Sequence, residues 1–311
     1  MSGQPEVQAA AAVLMIRPAA FGSNPETLQS NSLQSPPSGG DLDVAHQART
    51  EFDALVEILR SNGVEVRVFE GRAERDAPDE VFPNNWVSTH ADGTVVLYPM
   101  MAKNRRVERR PELFETIDSH SNYRAPRVVD LTSHELQQHY LEGTGSLVLD
   151  RINRVAYANL SPRTHLDTLG DFSQRLDYDI VTFEATDERG RQIYHTNVLM
   201  SVGAGFAVIC SGTIKEKAKR AAVLETLESS GREIIELRSE QLSGFAGNLL
   251  ELATPEGPMI ALSSGAWESL DEAQQEKLES HGKIVTAQIP TIERFGGGSV
   301  RCILAEIHLP R

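Results

Sequence analysis

The chain of 311 residues contains only two cysteines, Cys210 and Cys302, and no C-x-x-C pair. A disulfide framework and a structural zinc frame are therefore excluded, and a reducing compartment, the cytoplasm, is the expectation. Positive charge is scarce as well. Thirty Lys and Arg stand against 44 Asp and Glu, a net charge of −14. That balance argues against a nucleic-acid partner, whose phosphates call for clustered cations. The one basic run, Lys103-Asn104-Arg105-Arg106 with Arg109-Arg110, is short and reads as a solvated face. Long apolar stretches are missing too. The N-terminal apolar run, residues 9–16, is too short for a bilayer span and has no basic residue before it, so no membrane partner is expected. It reads as the first core strand. With 40% hydrophobic and 24% charged residues, the composition is that of a soluble globular protein long enough to bury a sizeable core.

What is present is a repeat. Residues 22–41 resist regular assignment, being rich in Gly, Asn, Ser, Pro and Gln and including Pro36-Pro37-Ser38-Gly39-Gly40. A loop of that length in a compact chain is disordered or functional. After it, Phe52, Leu55, Val56 and Leu59 recur at helical spacing, with Asp43 as a plausible cap and Asn62-Gly63 as the stop. A strand follows over 64–69. The turn Ala91-Asp92-Gly93 then joins strands at 86–88 and 95–98 as a hairpin. Hairpin, helix and strand recur at 147–158, 166–176 and 180–183. They recur again at 198–210, 215–230 and 234–237, and at 249–263, 271–279 and 284–287. Cys302-Ile303-Leu304-Ala305, behind Gly296-Gly297-Gly298, reads as the strand that starts the pattern once more.

The period is roughly 55 residues, a length that calls for a repeat architecture before any other fold. One polar residue stands just before each hairpin: Asn85, Glu142, His195, Asn248 and Cys302, at intervals of 57, 53, 53 and 54 residues. Five modules around an axis would bring these side chains to one end of a common centre.

Other motifs fail. Ser133-His134-Glu135-Leu136-Gln137-Gln138-His139 has one residue too many between its histidines for a zinc-protease helix, so no metal site is expected there. Gly143-Thr144-Gly145 lacks the third glycine of a dinucleotide loop and the Lys-Ser/Thr of a P-loop, and reads as a turn. Cys210 lies in the apolar run Phe206-Ala207-Val208-Ile209-Cys210 and reads as core.

Cys302, His195 and Glu142 could together attack a planar carbon: a thiolate, a proton-transferring imidazole and a carboxylate that orients it. In order, Phe82-Pro83-Asn84-Asn85-Trp86, Glu142-Gly143, Ser161-Pro162-Arg163-Thr164, His195-Thr196-Asn197 and the glycine run before Cys302 resemble the motifs of the guanidine-modifying superfamily. That superfamily includes arginine deiminase, dimethylarginine dimethylaminohydrolase and the amidinotransferases. The resemblance extends from Arg17 onward. It implies an α/β fold, a single five-bladed pseudo-symmetric α/β propeller over residues 1–311, with an ordered core from about residue 8. It further implies Cys302 as nucleophile, His195 as general acid and base, and Glu142 holding the reacting group's nitrogens and supporting His195. Asn84, Asn85 and Asn197 would bind the substrate, and Arg163 would grip its α-carboxylate through a guanidinium fork. Among Arg105, Arg106 and Arg109, Arg106 is the expected assistant, though the local register leaves the three open. No cofactor or metal is implied.

The departures direct the substrate reading. Arginine deiminases carry Asp where this chain has Asn85 and Asn197. Amides are uncharged and offer both a donor and an acceptor, which suits a neutral ureido group better than a guanidinium. The expectation is a cysteine hydrolase that converts citrulline, a small amino acid, to ornithine, ammonia and CO2 through a covalent Cys302 thiocarbamate. Residues 22–41 would act as a lid, with Asn24 and Asn31 reaching the amino-acid end. Arginine dihydrolase or deiminase, a dimethylarginine dimethylaminohydrolase-like guanidine hydrolase and an amidinotransferase remain alternatives. So does a non-catalytic binding module like the propeller-shaped ribosome anti-association factor. Self-association of identical copies stays open.

Overall fold

The computed structural model describes residues 6–36, 43–120 and 122–311, so positions 37–41 of the expected loop lie outside the described residues. In the described residues, fifteen strands form five sheets of three. In chain order they are β1 (Ala12–Arg17), β2 (Glu65–Glu70), β3 (Val87–Thr89), β4 (Thr94–Leu97) and β5 (Arg127–Asp130). β6 (Leu147–Asp150), β7 (Val155–Asn159), β8 (Asp179–Phe183), β9 (Met200–Val202) and β10 (Phe206–Ile209) follow. The last are β11 (Glu233–Glu236), β12 (Leu250–Thr254), β13 (Gly257–Ser263), β14 (Lys283–Ala287) and β15 (Ala305–Glu306).

Every sheet repeats one arrangement. Two strands pair antiparallel, and the second pairs parallel with a third that is reached through a helix. The five crossover helices are Val44–Ser61, Glu112–His120, Leu166–Leu176, Lys217–Ser229 and Glu272–His281. Parallel strands need such a crossover, whereas the antiparallel pair needs only a turn. The middle strands are short apolar runs such as Phe206-Ala207-Val208-Ile209, fully buried, as expected for sheets covered on both faces. The helices bury one stripe each: Ala48, Phe52, Leu55, Val56 and Leu59 in the first, Thr168, Leu169, Phe172 and Leu176 in the third.

The chain closes on itself. β15 pairs antiparallel with β1 in the register Val13↔Glu306 and Leu14↔Ala305, so the fifth sheet takes one strand from the C-terminal end and two from the N-terminal end. The leading strands face inward: β9 touches both β6 and β12, and β15 touches β3. The third strands lie at the rim, and three of the four residues of β5 are exposed. This is the five-fold propeller expected from the period.

Several local expectations change. Cys302 does not begin a strand. It sits in a helical turn, Val300–Ile303, and the strand starts at Ala305. The first module, β3–β5, also has a crossover, Glu112–His120 to Arg127–Asp130, that the hydrophobic pattern did not reveal, because its strand is short and edge-exposed. Asp43 precedes the first helix at φ 62° and makes no side-chain cap. The basic run is not a solvated face: Arg105 is buried against Glu108.

Adjacent modules are bolted by ions. Asp150, at the end of β6, receives two hydrogen bonds from Arg232, at 2.6 and 2.8 Å, and both side chains are buried. Removing one partner leaves an uncompensated buried charge. Asp150→Ala is expected to lower unfolding free energy by about 3–5 kcal/mol in urea titrations. The paired change Asp150→Leu with Arg232→Met should recover most of that loss.

Candidate active site

The propeller register places each marked polar residue just ahead of an inner strand. Asn85 closes the 3-10 turn Pro83–Asn85 before β3, and Glu142 precedes the helical turn Gly143–Ser146 before β6. His195 precedes the turn Thr196–Val198 before β9, Asn248 stands two residues ahead of β12, and Cys302 lies in its own turn before β15. These ends converge. Asn85, His195 and Cys302 line one cavity, with Asp79, Arg105, Arg163, Tyr194 and the glycine run around it. Glu142 and Asn248 reach the same centre through hydrogen bonds to His195 and Cys302.

Glycines 143 and 145 make the convergence sterically possible. A Cβ on Gly145 would lie 2.5 Å from Asn85 Nδ2 and 2.7 Å from His195 Nδ1, and one on Gly143 would lie 2.2 Å from the Asn84 carbonyl oxygen. The expected simple turn is thus a close approach between neighbouring modules. Gly297 has φ 64°, and a Cβ there would meet Asn31 at 2.5 Å. The glycine run ahead of Cys302 is therefore packed under Asn31 and, at Gly296 and Gly298, under Phe82.

Glu142 is the electrostatic centre. Its Oε1 accepts from the Met101 amide at 3.0 Å, and its Oε2 accepts from His195 Nε2 at 2.8 Å and Arg163 Nη1 at 3.3 Å. Burial alone would raise this carboxyl, but Arg163 and the His195 hydrogen bond overcome it and hold Glu142 well below the usual range. Burial lowers His195 to about 4 despite Glu142, so the imidazole is neutral near pH 7. With an anionic acceptor on Nε2–H, the ring's lone pair is on Nδ1.

The sulfur of Cys302 receives two amide donors, Asn197 Nδ2 at 3.4 Å and Asn248 Nδ2 at 3.3 Å. Asn197 Oδ1 is buried without a partner. Arg105 Nη1 donates to Asn85 Oδ1 at 2.7 Å, which turns the Asn85 amide so that its nitrogen donates to Asn84 Oδ1 at 2.9 Å. Asn84 is thus a support for Asn85 and does not line the cavity.

Two corrections concern the amino-acid end. Arg106 points away, donating to the Met100 carbonyl and pairing with Glu135, whereas Arg105 lines the cavity. Adjacent residues in a 3-10 turn face different sides, so the run of arginines could not settle this by itself. Asp79, unmarked by any repeat, is a further cavity residue. It accepts from Asn24 Nδ2 at 2.7 Å, lies 3.6 Å from Arg105 Nε, and its Oδ1 has no partner. Burial raises its pKa against the pull of Arg105. The sequence signal was an acidic residue a few positions before the Phe-Pro-Asn-Asn turn, too common to stand out.

The cavity is small. Its free volume is about 20 Å³, enough for one water. Residues of the long N-terminal loop pack beside it: Ser30 Oγ accepts from Arg163 at 2.7 Å, Asn24 holds Asp79, and Asn31 donates to the Gly297 carbonyl at 3.2 Å.

Away from the cavity, His134 pairs with Asp171 and His139 with Asp167. Among the described residues, His139, His165 and Asp167 bring ligand atoms within 4.8 Å of one another. The two imidazoles stack at 3.7 Å and 5°, so they lie as parallel plates and do not converge on a point. Cys210 is buried core. Among the described residues, no helix is long and apolar enough to cross a membrane.

A ring of five three-stranded modules with a buried Cys–His–Glu set on its axis defines the guanidine-modifying amidinotransferase superfamily, and the chain is a carbon–nitrogen bond hydrolase of that class. The model of the family described as N,N dimethylarginine dimethylhydrolase, eukaryotic, matches residues 17–309, and the chain belongs to that family. Among curated proteins no sequence matches it. Among solved structures, it is similar to the N-terminal domain of ArgZ bound to substrate, an arginine dihydrolase from the ornithine-ammonia cycle in Cyanobacteria. The TM-score is 0.72 at 18% identity, over 95% of this chain and 97% of that one. Against the whole ArgZ chain it spans 40% of the length. A variant of the same domain, covalently bound to a reaction intermediate, gives a TM-score of 0.70 at 19% identity, covering 96% and 99%. A dimethylarginine dimethylaminohydrolase adduct with S-methyl-L-thiocitrulline gives 0.65 at 12%, covering 96% and 100%.

Gly145→Ala is expected to displace Asn85 and His195 together and lower kcat at least about 100-fold, with the fold retained by circular dichroism. Stability should also fall in acid. His90, His195 and His308 are buried with lowered pKa values, so the folded chain resists protons that the unfolded chain takes up below about pH 6.5. The stabilisation is whole above pH 6.5 and erodes as pH falls, each imidazole contributing up to about 1.4 kcal/mol per pH unit. For His195 the erosion continues to about pH 4. Urea midpoints measured between pH 7 and 4.5 check this.

Proposed function

We propose that this protein hydrolyses the ureido carbon of citrulline, releasing ornithine, ammonia and CO2. The observation that carries the reading is the pair of amides. Asn85 gives its oxygen to Arg105 and one N–H to Asn84, which leaves its second N–H to donate, and Asn197 keeps a buried oxygen with no partner, because its nitrogen goes to the sulfur. A ureido group carries one carbonyl acceptor and one NH2 donor, the complementary set. Both oxygens of Glu142 are already engaged, so no free carboxylate on the inner ring awaits a guanidinium. At the other end, Arg163 binds the α-carboxylate once Ser30 is displaced, and Asp79 takes the ammonium in place of Asn24.

Cys302 attacks the ureido carbon as its thiol proton passes to His195, and the C–N bond to the terminal nitrogen breaks as His195 hands that proton to departing ammonia. The product is a thiocarbamate on Cys302. A water deprotonated by His195 then attacks the same carbon, the C–S bond breaks, and the carbamate of ornithine leaves to lose CO2. Glu142 holds the imidazole in one orientation and stabilises its transient cation. The long N-terminal loop, acting as a lid, keeps bulk water from the thiocarbamate until ammonia has left.

A second reading is supported by the arginine dihydrolase neighbours: arginine enters first, loses ammonia to give citrulline, and the same residues complete the second hydrolysis. Supplying citrulline and arginine separately distinguishes the two. Ornithine formed from citrulline, with a carbamoyl-sized adduct on the Cys302 peptide in acid-quenched samples, is the expected result. Citrulline that accumulates from arginine and is never consumed would overturn the ureido reading. Cys302→Ser should reduce turnover at least about 1000-fold, judged against a nucleophile's normal share of the barrier.

A further inference from the structure

The fourth module supplies a residue that the proposed reaction has not used. Asn248 is wholly buried and stands at the same register as Asn85, Glu142 and His195. Its amide spends nearly all its capacity on the site. Nδ2 donates to the Asn197 carbonyl at 2.9 Å and to Cys302 Sγ at 3.3 Å, and Oδ1 accepts from the Arg301 amide at 3.1 Å. It therefore joins the third module, through Asn197, to the turn that carries the nucleophile.

We infer that Asn248 is a catalytic residue: together with Asn197 it forms a two-amide cradle that stabilises the thiolate of Cys302 by direct hydrogen bonds. This rests on the reading of Cys302 as nucleophile. Hydrogen bonds to the charged form favour that form, and thiolate accepts them far better than thiol does. The cationic alternatives are committed elsewhere. His195 gives Nε2–H to Glu142. Arg163 is bound to Glu142 and Ser30. Arg105 is bound to Glu108 and Asn85. Arg301, next to the cysteine, turns its guanidinium to the Leu304 carbonyl and Glu306. The remaining titratable groups facing this space are Asp79 and Tyr194, whose hydroxyl donates to the Gly297 carbonyl. Beneath the glycine run, Glu293 is bound to Ser299. Asp79 and any charge on Tyr194 would oppose a thiolate, so the two amide donors are the groups that favour it by direct contact.

The cradle has a mechanistic consequence. A neutral His195 is free to take the Cys302 thiol proton as the sulfur attacks, while the cradle carries the charge left on sulfur. The amide donors also fix the direction of the sulfur, because Asn248 is itself anchored at three points.

The test is the pH dependence of Cys302 alkylation by iodoacetamide, read by peptide mass spectrometry with Cys210 as an internal control for unfolding. Cys210 is buried core, with its thiol pushed up to about 11. Wild-type Cys302 should be alkylated readily at pH 6.5, where a free thiol reacts slowly. Asn248→Ala should raise the apparent pKa by at least one unit, seen as a tenfold slower alkylation at pH 6.5. The near-isosteric Asn248→Asp should raise it further, because a carboxylate then faces the sulfur. Asn197→Ala provides a second loss of a donor should Asn248→Ala prove unstable. Apparent pKa values within 0.3 units of wild type in folded Asn248→Asp and Asn197→Ala proteins would overturn the cradle. Failure of the underlying reading looks different: alkylated wild-type protein would still turn over citrulline and arginine, whatever its thiol pKa.

Discussion

A carboxylate with no exposure to water cannot remain charged unless its surroundings supply donors, and Glu142 draws them from three directions. The Met101 amide comes from the preceding module, Arg163 from its own, and His195 from the next. Each partner satisfies part of a desolvation cost that would otherwise neutralise the group. The result fixes the imidazole, locates the guanidinium beside it, and ties adjacent modules at the axis. Most of the chemistry proposed for this protein follows from that one buried charge and the neutral histidine it orients.

Around it, the propeller solves a geometric problem. Each sheet has only three strands, too few to enclose a core alone. Five of them share a centre, and the pairing of β15 with β1 closes the ring. The helical turns ahead of the inner strands then project one polar side chain per module toward the axis. Glycine is needed where two such projections meet, at Gly145, and where the long N-terminal loop presses on the approach to Cys302, at Gly297. The same crowding leaves a cavity of about 20 Å³, room for one water.

Much of this was legible before folding because repetition converts weak local signals into a strong joint one. Asn85, Glu142, His195, Asn248 and Cys302 are each unremarkable residues, yet their near-equal spacing predicted a shared centre, and the helices around Phe52 and Phe172 declared themselves by periodicity. What escaped were features without a period. The strand Arg127–Asp130 is short, exposed and flanked by nothing distinctive. Asp79 depends on a loop contact more than 50 residues away, with Asn24. Arg105 and Arg106 are chemically equivalent neighbours, and only the 3-10 turn decided which one is buried.

The sequence by itself determined the five-fold repeat, the order of the motifs and the identity of the residues on the axis, since these depend on spacing and on side-chain chemistry. The tertiary structure decided which atoms meet. That Asn85 is oriented by Arg105 and Asn84 follows from the packing of remote turns, that Asn197 and Asn248 both point at sulfur follows from the packing of the third, fourth and fifth modules, and that Ser30 and Asn31 reach Arg163 and the glycine run follows from the path of the long N-terminal loop. Hydrogen-bond direction is set by contacts between distant segments, and no local pattern in a chain encodes the distance between two of its remote atoms.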